Sequence, residues 1–490
     1  MKSVAIIGAG ITGLTAAFYL KRAGVPVTVY EGSGRAGGVI QSLRKDGFLA
    51  EFGPNTILET SPKIAQIIRD AGLESRRLNS DPKAEARYVV RYRHPIAMPS
   101  QLGIFTSELL SAKAKFALLR EPFVPRRRDG KEESIAEFVM RRLNREFLDQ
   151  MIDALVAGIY AGDPHQLSVQ HAFPRLAELE ARYGSLIKGQ IFGARERKAR
   201  GEISKDRAPK FSFDEGLQVL PDALAGQLGG SLKLNTEVTK LTQTADGWML
   251  AMRENGREPQ GNIEHRTSNI QHPSCQIEHS TVIYCGTAHR LAELQVEFGT
   301  PASGTARTDF TNEPCRRPAF QAFSEIRYPP VASVVLGFRR GDVAHSCLGY
   351  GMLIPKIEGF KILGTIFSSA LFPNRAPAGH ILLTSYLGGA RYPELALLPP
   401  DQLIETTLTD LRALLGVKGN PIFTQTAVYP RAIPQYNVGY GKYRRLLTDL
   451  EAAAPGLFFA GHYRDGVSLG DSVVSGCNIA ERAVDFLYHG

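Results

Sequence analysis

Hydrophobic residues open this chain as a tight run, Val4-Ala5-Ile6-Ile7. It passes without a polar break into Gly8-Ala9-Gly10-Ile11-Thr12-Gly13, then into small and apolar residues from Leu14 to Leu20. A short apolar run, a glycine turn and a segment with one apolar face predict strand, tight turn and helix. A second apolar stretch, Val25 to Tyr30, predicts the next strand, which ends at Glu31. The helical period returns from Ser61 to Leu73 and stops at Gly72, whereas Arg87 to Tyr92 alternates as a strand with its turn expected at His94-Pro95. Helical patterns then predominate from Pro99 to Lys205, over Leu109 to Leu119, Ile135 to Phe147 and Phe147 to Val156. From Phe211 the α/β character resumes, with a helix through Leu228, one strand from Leu232 to Leu241, another at Val282 to Cys285 and the last at Gly456 to Gly461. Alternation at Ser333 to Phe338, Leu353 to Ile354 and Ile381 to Tyr386, with a helix near Leu403 to Leu415, predicts a mixed α+β part.

This order implies a discontinuous nucleotide domain, because α/β patterning returns after a long helical insertion. The expected division is a Rossmann-like domain from 1–85, 206–290 and 430–490, a mixed-sheet substrate domain from 86–98 and 291–429, and a helical domain from 99–205. A length of 490 residues accommodates such a set.

Composition changes the picture in two places. The net charge of +9 suits an anionic membrane surface or an anionic substrate, and the arginine triplet Arg126-Arg127-Arg128 lies just beyond the apolar helix at Leu109 to Leu119. The alternative is a helical domain packed on its own core. Basic residues are otherwise dispersed without interleaved aromatics, which sets nucleic-acid binding aside. Five cysteines, none in a C-x-x-C pair, argue for a reducing compartment, and no run is long enough to span a membrane. The lysine before the first apolar run imitates a signal peptide, but the glycines that follow belong to the nucleotide turn. A cytoplasmic protein, peripheral on the inner face of the membrane, is the expectation. The polar stretch from Arg253 to Ser280 holds His265, His272, Cys275 and His279 at spacings that match no common zinc site, so it reads as a solvated loop.

Candidate chemistry starts from the glycines. Gly8 allows the tight turn, Gly10 lets backbone N–H groups approach a pyrophosphate, and Gly13 lets the helix pack closely on the sheet. Glu31 stands about twenty residues on, where a carboxylate meets a ribose hydroxyl. Turns of this kind serve NAD, NADP and FAD alike. Arg35-Ala36-Gly37-Gly38 adds a cation and a second glycine pair that could wrap the same pyrophosphate, and the chain continues into Glu51-Phe52-Gly53-Pro54-Asn55. Val156 to Pro164 is rich in small residues, so either a flat ligand approaches its backbone at Gly158 or helices pack closely there.

The extended N-terminal pattern resembles the FAD-binding half of the flavin amine oxidase superfamily. Ile159-Tyr160-Ala161-Gly162-Asp163-Pro164, Ala432-Ile433-Pro434-Gln435-Tyr436 and Leu457-Phe458-Phe459-Ala460-Gly461-His462 make the likeness sharper, toward the oxygen-dependent protoporphyrinogen oxidases within it. The resemblance covers nearly the whole chain. It implies FAD, a porphyrinogen oxidised with O2 in haem biosynthesis, and a helical part lying on one membrane leaflet. Cofactor contacts implied by it are Gly8, Ala9, Gly10, Ile11, Thr12, Gly13, Glu31, Gly32, Arg35, Gly38, Val39, Gly53, Pro54, Asn55 and Thr56. Val238 at the adenine, and His462, Val467, Ser468 and Leu469 near the flavin end, complete them. Arg87 would meet a substrate propionate, and Tyr350, Leu353 and Tyr386 would hold the tetrapyrrole. No residue is assigned as acid or base.

His462 departs from the superfamily pattern, which usually has an acidic residue there, and Tyr350 stands where phenylalanine is common. Four readings compete with the first: a coproporphyrinogen III oxidase, an amine oxidase, a carotenoid desaturase, and a non-enzymatic lipid carrier on the same fold, such as the GDP dissociation inhibitors. The Y-A-G-D and I-P-Q-Y segments argue against the amine oxidase and the desaturase. A homodimer and handover of product to ferrochelatase are further expectations.

Overall fold

A computed structural model describes residues 2–99, 103, 106–199, 208–254, 275–299 and 319–489, without the side chains of 194–199 and Cys275. Its centre is a five-stranded parallel sheet ordered Leu232–Lys233, Val27–Tyr30, Val4–Ile7, Thr281–Tyr284, Leu457–Phe459. The first strand shows why a continuous apolar run is needed. Val4 and Ile6 point into one core with Leu14 and Phe18 of the helix Ile11–Arg22 and Ile479 of the helix Leu469–His489. Ala5 and Ile7 point the other way, into a core with Leu241, Trp248 and Leu250. Both faces of the sheet are covered, so both sets of alternate residues must be apolar.

The second covering layer is a four-stranded sheet ordered Cys275–His279, Trp248–Glu254, Thr236–Gln243, Gln295–Glu297. A third, seven-stranded sheet runs Phe423–Tyr429, Val331–Arg339, His380–Gly388, Ile362–Ile366, Gly351–Leu353, Arg87–Arg91, His94–Ala97. It is antiparallel except where Gly351–Leu353 runs parallel to Arg87–Arg91. Between Ala112 and Ala199 the described chain is largely helical. Those helices are tied by a buried ion cluster in which Arg142 lies 2.8 Å from Glu121 and 3.0 Å from Glu180. Glu121 also accepts from the Ser185 hydroxyl at 2.5 Å and Leu186 N at 2.8 Å, so the buried charge is fully hydrogen-bonded.

Five sequence expectations need correction. The hairpin after Arg91 turns at Tyr92 and Arg93, both with positive φ (54° and 64°), and not at His94-Pro95. Glu358 holds that turn by accepting from Tyr92 N and Arg93 N, and Pro95 is tolerated in the returning strand because it is at the sheet edge. The helix expected from Ile135 to Phe147 stops at Arg142, and Asn144 caps a new start by accepting from Phe147 N at 3.0 Å. Leu232 to Leu241 is two strands in two sheets, separated at Asn235, whose φ is 54°.

The end of the stretch expected as a solvated loop is instead the strand Cys275–His279. Its His279 is buried, with Nε2 3.0 Å from the Tyr30 hydroxyl and Nδ1 3.2 Å from Ser3 Oγ. His265 and His272 lie outside the described residues. Finally, Gln295–Glu297, assigned from sequence to the substrate domain, pairs in parallel with Thr236–Gln243.

Candidate functional site

At the head of the central strand, Gly8 has φ of 104°, open to glycine but strained for other residues. A Cβ on Gly13 would overlap the Gly8 carbonyl, so only glycine lets the helix start this close to the turn. Gly10 caps the helix without any side-chain hydrogen bond, and nothing lies within 4 Å of where its Cβ would be. The open space beside Gly10 leaves room for a pyrophosphate to approach the start of the helix, where backbone N–H groups lack intrahelical partners. Glu31 stands beside it, accepting from Ala9 N at 2.8 Å and from Ser33 N and Oγ at 2.9 and 2.7 Å. The second glycine pair folds against the first through Gly37 N to Ala9 O at 2.8 Å. Arg35 shapes that loop by donating to the carbonyls of Ala36, Gly38 and Ile40. Its guanidinium is therefore engaged with its own loop. Val39 is exposed, and its carbonyl is packed against Gly53.

Three more elements meet this turn. Thr236 N donates to the Glu31 carbonyl, so the strand carrying buried Val238 begins beside Glu31. The long helix Leu469–His489 crosses Ile11–Arg22 closely, since a Cβ on Gly476 would come within 2.6 Å of Thr12 O, and Thr12 Oγ1 donates to Ser472 O at 3.1 Å. Ser468 caps the start of that helix by accepting from Asp471 N. Ahead of it, Gly461 N donates to Ser475 Oγ at 3.0 Å, and the His462 carbonyl accepts from the Tyr436 hydroxyl. Burial, then the neighbouring His289, push the His462 imidazole down to about 4, so it is neutral at physiological pH.

The residues expected at a substrate cluster on the seven-stranded sheet. The register places Gly351 opposite Arg87 and Leu353 opposite Val89, with the Arg87 guanidinium carbon 5.8 Å from the Tyr350 ring centre. Two tyrosines link this wall to the segment after Phe48–Glu51. The Tyr350 hydroxyl is 3.1 Å from Thr56 Oγ1, and the Tyr386 hydroxyl accepts from Asn55 Nδ2 and donates to the Gly53 carbonyl. Gly158 lies against the same wall, because a Cβ there would be 2.5 Å from Leu353 Cδ2. Aromatic and aliphatic groups with one guanidinium suit a flat apolar molecule bearing a carboxylate.

The Y-A-G-D and I-P-Q-Y segments, far apart in sequence, are neighbours. Gln435 Nε2 donates to Tyr160 O at 2.9 Å, Ser168 N to Tyr436 O at 2.8 Å and Val438 N to Gln166 O at 2.9 Å. Sequence reasoning had not found the stack in which Tyr328 meets His462 edge-on at 5.8 Å and His289 at 5.1 Å, and no spacing in the sequence signals it.

Open backbone donors at the glycine turn, a carboxylate beside them and the close-packed second glycine pair fit FAD. Comparison with known proteins agrees. The family model described as flavin containing amine oxidoreductase matches residues 11–484. Protoporphyrinogen oxidase 2, chloroplastic/mitochondrial, of Arabidopsis thaliana is 33% identical over 99% of this chain and 94% of its own length. Coproporphyrinogen III oxidase of Bacillus subtilis is 28% identical over 99% of each. A solved structure from Exiguobacterium sp., provisionally described as a protoporphyrinogen oxidase, aligns with TM-score 0.75 at 20% identity over 99% of both chains, which shows the shared fold. With the nucleotide turn, the full-length match and the fold in agreement, this chain belongs to the flavin-containing amine oxidoreductases and is an FAD-dependent oxidoreductase.

Proposed function

We propose that the protein oxidises a porphyrinogen to its porphyrin, with protoporphyrinogen IX as substrate and O2 as final acceptor. The observation that carries this reading is the 33% identity to a plant protoporphyrinogen oxidase over 99% of this chain. The wall of Arg87, Tyr350, Leu353 and Tyr386 supports it, since it offers a cation for a propionate and a flat apolar surface for a macrocycle.

The residues Gly8 to Gly13, Glu31 and Ser468 would hold the cofactor, which when bound supplies a two-electron acceptor for a hydride. The protein's part is binding and orientation. Arg87 anchors one edge of the macrocycle through a carboxylate, and the Tyr350 and Tyr386 rings, fixed by Thr56 and Asn55, keep its plane. Removal of six electrons and six protons takes three two-electron rounds, each reducing one O2 to H2O2. A porphyrinogen is a willing hydride donor, so no side chain is required as nucleophile.

A second reading, oxidation of coproporphyrinogen III, is favoured by the full-length match to the Bacillus subtilis enzyme. The two substrates differ in propionate count, so comparing kcat/KM on each with purified FAD-loaded protein, by porphyrin fluorescence and H2O2 release, decides between them. Activity on neither would remove both readings.

The proposed location is the cytoplasmic face of a membrane. Among the described residues no helix is long and apolar enough to cross one. Support for peripheral attachment comes from Phe116, Leu119, Phe123, Ile191 and Phe192, which are exposed on the helical part.

A further inference from the structure

A cleft of about 360 Å³ opens between the helix Ala288–Glu293 and the segment from Gln321 to Tyr328, within the size range of small-ligand sites. Its charge is one-sided. Arg327 and Arg431 bring two guanidinium groups to the lining, and Glu293 is its one carboxylate. Glu293 is already engaged, with Arg290 Nη1 2.8 Å from Oε2 and Arg431 Nη1 3.8 Å from Oε1. Arg290 is shared in turn with Glu237, and the lining itself carries two guanidinium groups against one carboxylate, a positive excess. Arg431 is loosely held at that distance, and among the described residues Arg327 has a long 3.4 Å contact with Gln166 Oε1.

His289 adds a neutral imidazole. Its Nε2 sits 3.1 Å from Thr287 Oγ1, while Nδ1 is buried and, among the described residues, has no hydrogen-bond partner. Burial, followed by the charge of Arg431, pushes the ring down to about 4, so it carries one N–H. The hydrogen bond with Thr287 leaves Nδ1 unpartnered in either tautomer, as donor or as acceptor. An orphaned buried polar atom costs stability unless a ligand satisfies it. The lining is completed by polar Gln321 and Ser324, by Ile326 and Ala292, and by the Tyr328 ring, which meets both His289 and His462 edge-on.

We propose that this cleft is a second binding site, for a small molecule bearing a carboxylate or phosphate group, with the oxyanion held by Arg327 and Arg431. Guanidinium forks pair with planar carboxylates and with phosphates, and the Tyr328 ring offers a surface for a compact apolar body. The inference rests on the cleft alone and stands apart from the porphyrinogen reading.

Calorimetric titration of the FAD-loaded full chain, at low ionic strength, with inorganic phosphate and separately with benzoate tests it. Saturable binding of at least one is expected, weakened about tenfold or more in both Arg327→Ala and Arg431→Ala, and partly retained in Arg431→Lys. Benzoate alone binding assigns a carboxylate ligand with its ring on Tyr328. Phosphate alone binding assigns a phosphorylated ligand, and binding of both shows that the oxyanion suffices. Arg431 is a surface residue, so Arg431→Ala decides should Arg327→Ala fail to fold. Absence of saturable binding by either probe, or binding unchanged in the variants, overturns the proposal.

Discussion

Asn55 Nδ2 donates to the hydroxyl of Tyr386 at 2.5 Å, and that hydroxyl donates to the Gly53 carbonyl at 3.2 Å. One phenol thus locks the segment after Phe48–Glu51, expected at the cofactor, to the strand His380–Gly388, expected at the substrate. Burial pushes the Tyr386 phenol well above its ordinary range, so it stays protonated and able to donate. A double-mutant cycle of Asn55→Ala and Tyr386→Phe, read by thermal melting of the FAD-loaded protein, should show a coupling of about 1 kcal/mol. Strict additivity would mean that the bond does not join the two parts.

Two glycines should respond differently to an added methyl group. At Gly13 the intruding atom meets backbone, the carbonyl of Gly8, which cannot yield without opening the turn. At Gly158 it meets only the tip of the Leu353 side chain. Gly13→Ala should therefore yield protein without visible flavin absorbance. Gly158→Ala should keep its flavin, because overpacking of about 1–3 kcal/mol is partly offset by a gain of about 1 kcal/mol in helix propensity. The two flavin-to-protein absorbance ratios check this, and equal loss of flavin would refute it.

Arg87→Ala should raise KM for a porphyrinogen several-fold or more with flavin content unchanged, since its guanidinium lies over Tyr350 and away from the glycine turn. Arg87→Lys should recover only part, because an ammonium lacks the planar fork. Unchanged kinetics in Arg87→Ala would exclude it from the substrate wall.

Four strands of the central sheet were legible because they are short, mainly apolar runs and the first turn needs three glycines at fixed spacing, whereas the two-residue Leu232–Lys233 was merged with the strand that follows it. The grouping of Arg87 with Gly351 and Leu353 was not, because a parallel register between strands some 260 residues apart leaves no local trace. The hairpin at Tyr92-Arg93 hid for another reason: positive φ usually falls to glycine or asparagine, and here Glu358 from a distant segment stabilises it. His279 read as loop composition because the partners that bury it, Tyr30 and Ser3, lie at the other end of the chain. The resemblance to a family supplied what periodicity could not, namely which tyrosines and which arginine share one wall.

Acid should weaken the fold through its histidines. His462 and His289 are both pushed from an ordinary 6.5 to about 4, with burial the first cause in each. Unfolded, the same rings take up protons as the pH falls through about 6.5; folded, they do so only near 4. The unfolded state then binds more protons, so the contribution is fully present above pH 6.5 and is lost on going down to 4. His462→Gln cannot titrate, and its Tm against pH should be flatter across that window than the parent's. Parallel curves would show that His462 is not among the groups responsible.

The exposed aromatics of the helical part lead to the last prediction. Phe123 is 80% exposed, Phe116 66% and Ile191 62%, a large apolar display for a water-facing surface. They are held together, since Glu121 at the start of the turn Glu121–Phe123 accepts from Leu186 N and Ile187 N of the helix Leu186–Ala199. Lys188 adds a cation 6.0 Å from the Phe123 ring. Aromatic side chains beside cations match the boundary between acyl chains and anionic headgroups, where each gains what water denies it. The protein should therefore co-sediment with vesicles containing anionic lipid, less so as salt rises, and hardly at all with neutral ones. Phe116→Ser with Phe123→Ser should abolish that binding while raising solubility and leaving flavin content intact. Equal sedimentation of the variant would mean that another surface meets the lipid, and no sedimentation of the parent would mean that none does.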